Sequence, residues 1–157
     1  MMESMPPATP EELERHAGRI DEWLAQQLEE NPCVAAVDYD DSDGERRWIA
    51  RVAGEEKATF SIWFHLRQRT LHVETYMMPA PEEQQEQLYE HLLRRNLRLH
   101  GFRFAIGAED GIFLIGELPV AQIDDVELDR MLGSVYAYVE QCFRPAMRIG
   151  FASRFEG

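Results

Sequence analysis

Residues 88–118, LYEHLLRRNLRLHGFRFAIGAEDGIFLIGEL, change hydrophobic period part-way along, and few folds accommodate that change. Leu88, Leu92 and Leu99 keep a helical spacing, and Gly101 stands where a left-handed residue closes a helix. Phe102, Phe104 and Ile106 then alternate with Arg103 and Ala105, so the period drops from that of a helix to that of a strand. Ala108-Glu109-Asp110-Gly111 supplies turn chemistry, Asp-Gly above all, and the next strand runs from Ile112 to Leu118. A helix leading into a hairpin calls for an antiparallel sheet with helices packed on it, an α+β arrangement.

The flanking chain fits that frame. Thr9-Pro10-Glu11-Glu12 predicts a helix start with Thr9 as N-cap and Glu12 as the capping-box acid, a cap worth about 1 kcal/mol. Leu13, Ala17, Ile20, Leu24 and Leu28 make one apolar stripe, and Asn31-Pro32 ends the helix. Residues 1–8 read as a mobile tail and residues 9–157 as a single domain. Residues 33–40 are a strand candidate, followed by the turn Asp41-Ser42-Asp43-Gly44. Setting Gly44 on the EF-hand glycine places Tyr39 at the first ligand position and Ala50 at the bidentate one, so the acids here form a turn and not a calcium loop.

Residues 46–78 predict a three-stranded meander. Phe60, Ile62, Phe64 and Leu66 share a face with Leu71, Val73, Thr75 and Met77 when Leu66 pairs with Leu71. That register also sets His65 against His72, Trp63 against Glu74 and Ser61 against Tyr76, and a slip of one residue destroys the apolar face. A preceding turn centred on Glu55-Glu56 pairs Trp48 with Trp63 on the second face. Two readings of that half-aromatic face stay open: a terminal element of the same chain covers it, or it meets a second subunit or client protein, as interface cores favour Trp and Tyr. His65 and His72 have no third ligand nearby, so zinc is not expected.

Pro79-Ala80-Pro81 opens the second helix, with Glu82, Glu83 and Glu86 at its positive end and Glu90 paired with Arg94. Asn96 interrupts the line Leu88–Leu92–Asn96–Leu99, and a buried amide without partners costs roughly 1–3 kcal/mol. The expectation is a satisfied amide that fixes register, with a ligand contact as the alternative. Arg94, Arg95 and Arg98, with Arg103, are the candidate anion site against a background of solvated helix-flank arginines. Asp124 opens the last helix with Glu127 as the acid of a second capping box, Leu128, Leu132, Val135, Val139 and Cys142 or Phe143 carry its stripe, and Arg144-Pro145 stops it. Met147, Ile149 and Phe151 then alternate as an extended docking segment.

Charge excludes one large class of partner. The net charge is −13, with 13 acids and two bases in residues 1–45 and ten bases against seven acids in residues 46–104. Such a chain is repelled by polyphosphate over most of its surface, so no nucleic acid is expected. No apolar run approaches a bilayer span and the first ten residues lack a signal-peptide pattern, so the expectation is cytoplasmic, with no membrane partner. Cys33 and Cys142 lie in no CxxC or Cys/His cluster. There is no GxSxG, HExxH, Walker-type loop or GxGxxG after a strand, so no enzyme, cofactor or metal site is expected.

The segments HLLRRNLRLHGFRFAIG, GIFLIGELP and ELDRMLGSVYAYVEQCF with IGFAS resemble the YbjN family, although His100 replaces an aromatic residue. The resemblance implies an antiparallel sheet of about five to six strands in the order α-β-β-β-β-α-β-β-α, a type III secretion chaperone-like fold. It also implies a bacterial, non-catalytic, chaperone-like or stress-regulatory protein, often dimeric, with no catalytic residues to carry over. The expected function is a protein-binding module, a homodimer acting on a protein client or regulatory partner through Trp48, Trp63, His65, His72 and Tyr76. The alternative is a small-molecule or anion sensor using Arg94, Arg95, Asn96 and Arg98.

Overall fold

A computed structural model describes residues 6–155. Helix α1 (Pro10–Glu30) precedes strands β1 (Val34–Asp40), β2 (Arg46–Ala53), β3 (Thr59–Leu66) and β4 (Thr70–Met78). Helix α2 (Gln85–Asn96), strands β5 (Phe102–Ile106) and β6 (Ile112–Pro119), and helix α3 (Asp125–Gly150) complete the domain. The six strands form one antiparallel sheet ordered β1-β2-β3-β4-β6-β5, so α2 carries the chain past the place that β6 fills and leaves β5 at the edge.

The capping box at α1 forms as its residues predict: Thr9 Oγ1 accepts from the Glu12 N–H at 3.1 Å, and Glu12 Oε1 accepts from the Thr9 N–H at 3.0 Å. The buried arc is centred on Ile20 and takes in His16, Ala17, Trp23 and Leu24. Leu28 falls on the flank of that arc and is exposed, so it leaves the expected stripe. Trp23 meets Phe64 edge-on at 5.7 Å between centroids, and its Nε1–H donates to Asp129 Oδ1 of α3 at 2.8 Å. One indole therefore ties α1 to both the sheet and α3. Residues 1–5 of the expected N-terminal tail lie outside the described residues, while the Ala8 N–H donates to the Gln68 carbonyl at 2.8 Å.

The β3–β4 register runs as the alternation demands, with Leu66 opposite Leu71, Phe64 opposite Val73, His65 opposite His72 and Trp63 opposite Glu74. Ser61 and Tyr76 are not paired: the ladder stops at Ile62–Thr75, where Thr75 Oγ1 donates to the Ser61 carbonyl at 2.7 Å. A bulge after Tyr76 turns both Met77 and Met78 inward. The β2–β3 register differs from expectation by one residue. Trp48 lies opposite Phe64, and Ile49 opposite Trp63. The turn is centred on Glu56, its ends joined by the Gly54 N–H to Ala58 carbonyl bond at 3.1 Å. Glu140 of α3 fixes it, because its carboxylate accepts the backbone N–H groups of Glu55, Glu56 (2.9 Å) and Lys57 (3.1 Å). Trp48 thus faces the core at 1% exposure and donates to Asp21 Oδ1 at 2.7 Å.

Two helix boundaries also move. α2 begins at Gln85, after Gln84 takes a left-handed conformation at φ 53°. Glu82 and Glu83 instead hold the chain end: their N–H groups donate to the Gly150 carbonyl, Glu82 grips Arg154 with two bonds of 2.8 Å, and Glu83 receives Ser153 Oγ at 3.1 Å. α2 ends at Asn96, short of Leu99, and Gly101 takes φ 75° at the entry to β5. α3 continues past Pro145 to Gly150, so residues 147–150 are helical, not extended. Proline removes one ladder bond. The burial of Cys142, Ala146 and Gly150 at four-residue spacing outweighs that loss.

Trp48, Ala50, Val52, Phe60, Ile62, Phe64, Leu66, Leu71, Val73, Leu114 and Leu118 all point to one side of the sheet, where the three helices cover them. Among the described residues no helix lies on the other side.

Candidate functional site

The uncovered face is the surface that the strand registers assemble. Its first cross-strand row reads Asp40, Arg47, His65, His72, Glu117, and its second Asp38, Ile49, Trp63, Glu74, Ile115, Arg103. A third brings Arg51 beside Ser61, and Tyr76 beside Phe113 and Ala105. Trp63 is 38% exposed and Tyr76 44%, whereas Trp48, Phe60 and Phe64 on the helix side are buried. Tyr76 and Phe113 meet edge-on at 5.4 Å. Glycines make room for that pair: a Cβ on Gly107 would stand 2.5 Å from the Phe113 ring, and one on Gly111 2.8 Å from the Tyr76 ring. The hairpin's left-handed positions fall on Glu109 and Asp110 (φ 56° and 58°), so Gly111 serves this close approach and not the turn itself.

Charged side chains on this face are held in place by one another. Glu117 takes Arg103 in two parallel bonds of 3.0 and 2.9 Å, a planar fork that is the strong form of this contact. His72 lies between Glu74 (Nε2, 3.2 Å) and Glu117 (Nδ1, 3.9 Å), and His65 meets Glu45. The bond from His72 holds the Glu74 carboxyl below its ordinary range, and Arg103 does the same for Glu117. Burial lowers the pKa of His65 despite Glu45, with Arg67 and Arg47 adding to the effect. Arg47 reaches Asp43 at 2.6 Å and Asp40 at 3.6 Å. The result is an aromatic strip, Trp63–Tyr76–Phe113, inside a frame of paired charges. Phe113 and Ile115 escape the sequence reading because residues 112–118 are apolar on both faces but for Gly116 and Glu117; extending the β3–β4 register by one strand places them.

Of the five residues assigned to a protein interface, Trp63, His65, His72 and Tyr76 share this face, whereas Trp48 lies beneath the sheet. The four residues assigned to an anion site differ in their surroundings. Arg94 is exposed and bonded to Glu90 at 3.3 Å. Arg98 lies exposed beyond α2, and Arg103 is on the opposite side of the sheet, engaged by Glu117. Arg95 is half-buried and lies close enough to His91 and Cys142 to lower both pKa values, although burial dominates each and pushes the thiol up overall. Asn96 spends its amide on β5: Oδ1 accepts from the Phe104 N–H at 2.8 Å, and Nδ2 donates to the Phe104 carbonyl at 3.4 Å. This amide does fix register, and it occupies the outward-facing backbone groups at the centre of the edge strand. No three His, Cys, Asp or Glu side chains among the described residues are placed to hold a metal, and no helix is long and apolar enough to cross a membrane.

The fold defines an α+β domain on a helix-backed, six-stranded antiparallel sheet. The YbjN family, described as "Putative bacterial sensory transduction regulator", matches residues 17–146, and the chain belongs to it. Uncharacterized proteins of Mycobacterium tuberculosis and Mycobacterium bovis are each 31% identical to it over 108 residues, 69% of this chain and 59% of the relative. One from Mycobacterium leprae is 31% identical over 114 residues, 73% of this chain and 62% of the relative. The chain therefore spans about three-fifths of the length of the curated relatives it matches.

Proposed function

We propose that the chain is a non-catalytic regulatory module of the bacterial cytoplasm that works as a homodimer and docks a protein partner on the open sheet face. The observation that carries this reading is the strip Trp63–Tyr76–Phe113, with Trp63 and Tyr76 exposed, at the centre of a sheet whose three helices all pack on its other side. Aromatic anchors ringed by polar groups are the usual anatomy of a protein interface. The face has four carboxylates, Asp38, Asp40, Glu74 and Glu117, against Arg47, Arg51 and Arg103, in a chain of net charge −13. That local near-balance removes the repulsion which the rest of the surface presents to an acidic protein. The family's regulatory description supports the same reading. Native mass spectrometry of the protein gently purified from its cells tests it. A bound protein partner is expected, and Trp63→Glu should abolish it with the fold intact; a partner retained by the variant overturns the assignment of the face.

A further inference from the structure

Helix α2 carries a second unpartnered surface, on the opposite side of the domain's edge from the aromatic strip. Leu93 is 67% exposed and Leu97 87%, one helical step apart, and Ile106 of the adjacent edge strand is 53% exposed. These are the most exposed leucines of the chain's described residues after a sheet and three helices have packed. A pocket of about 260 Å³ opens between α2 and β5, lined by Tyr89, Leu93, Phe104 and Ile106 and of a size to take an aliphatic side chain. Charge along the same exposed side is polar from end to end. Glu86 and Glu90 occupy its first half, while Arg94 and, just beyond the helix, Arg98 occupy its second.

We infer that this surface pairs with itself: α2 packs antiparallel on α2 of a second copy about a two-fold axis near Leu93. Glu86, Glu90 and Arg94 recur at four-residue spacing on one flank of the apolar stripe, and in an antiparallel pair like flanks face each other. Glu90 then lies across from the copy's Arg94, Glu86 across from its Arg98, and Leu93 beside its own counterpart. A parallel pair would set this charged flank against the copy's opposite flank and leave its charges unmatched. Joining two sheets through β5 is blocked, because Asn96 already holds the Phe104 N–H and carbonyl that an incoming strand needs. Helix-to-helix contact is the mode left open at this edge, with the pocket beside Leu93 receiving an apolar side chain of the copy.

This inference rests on the proposed homodimer but leaves the partner-binding face untouched, so the two fail separately. Sedimentation equilibrium of the full chain is the test, with Leu93→Glu, Glu90→Arg, Arg94→Glu and the double variant Glu90→Arg/Arg94→Glu, each checked for an unchanged fold by circular dichroism. The wild type is expected at twice the monomer mass of 18.3 kDa. Leu93→Glu should sediment as monomer, each single reversal should weaken the dimer about tenfold or more, and the double variant should recover it, since both charges across the axis are again opposite. A wild type that is monomeric at about 100 µM overturns the inference, as does a Leu93→Glu dimer of unchanged strength or a double variant as weak as the singles combined. Trp63→Glu, which should remain dimeric, separates this outcome from failure of the sheet face.

Discussion

Glu140 offers the sharpest quantitative check on how the open face acquires its register. Its carboxylate accepts three consecutive backbone N–H groups from the β2–β3 turn, and those bonds set the turn that sends Trp48 inward and Trp63 outward. Burial acts to raise its pKa, but the N–H groups of Glu55, Lys57 and Glu56 outweigh it and hold the carboxyl below its ordinary value. Glu140→Gln keeps the shape, removes the charge and turns one acceptor into a donor that faces N–H groups. A charge-assisted bond contributes about 1.5–3 kcal/mol. With solvent screening at a half-exposed turn, the net loss should be about 2 kcal/mol. In a chain of this length that lowers the melting temperature by about 4–8 °C.

The pH dependence gives this prediction its sign. A carboxyl whose pKa falls on folding contributes stability that is present above its unfolded value, roughly 4.3, and is lost as pH falls through the folded value. Protonated Glu140 is nearly isosteric with Gln, so the gap between wild type and variant should be full at neutral pH and should close below the folded value. Paired thermal melts across that range measure it. A gap that stays constant with pH, or one under about 0.5 kcal/mol at neutral pH, refutes the argument.

Other consequences are open to direct measurement. Phe64→Ala removes a fully buried ring packed edge-on against Trp23 and should cost about 3–5 kcal/mol in urea unfolding; a loss below 1 kcal/mol would place the core elsewhere. Asn96→Ala frees the Phe104 N–H, so hydrogen exchange at that amide should accelerate while β6 amides stay protected; continued protection of Phe104 would mean that another group covers the edge. Burial lowers the pKa of His16, His65 and His91. Their protonation therefore favours the unfolded chain, and stability should fall as pH drops below about 6.5. Melts at pH about 7.5 and 5.5 should show a decline that His16→Leu flattens, whereas a flat or rising wild-type curve contradicts it.

How far the chain could be read before its structure depends on the range of the forces involved. The β3–β4 pairing was legible because two alternating apolar runs around a short turn leave one workable register. The β2–β3 pairing was not, since its turn is set by a carboxylate about 85 residues away that no local pattern reveals. The same distance problem hid the true end of α3. Pro145 is a strong local stop, yet the helix continues because its far side is buried and Gly150 receives Glu82 and Glu83. Local capping chemistry is legible in full at Thr9, but only half of the capping box expected at Asp124 forms: Asp124 Oδ1 accepts from the Glu127 N–H at 2.8 Å, while Glu127 Oε2 accepts from Arg130 Nε at 2.7 Å. Half of the candidate face was visible as Trp63, His65, His72 and Tyr76. The half on β6, Phe113 and Ile115, needed the neighbour order that only the folded sheet supplies.

Site-specific photo-crosslinking in the cell tests the central claim most directly. A benzophenone amino acid placed at position 63 or 76 should give discrete protein adducts, while one at Gln26 on the solvent side of α1 should give none. Equal labelling from all three positions, or none from 63 and 76 in a folded protein, would contradict a partner on the open sheet face.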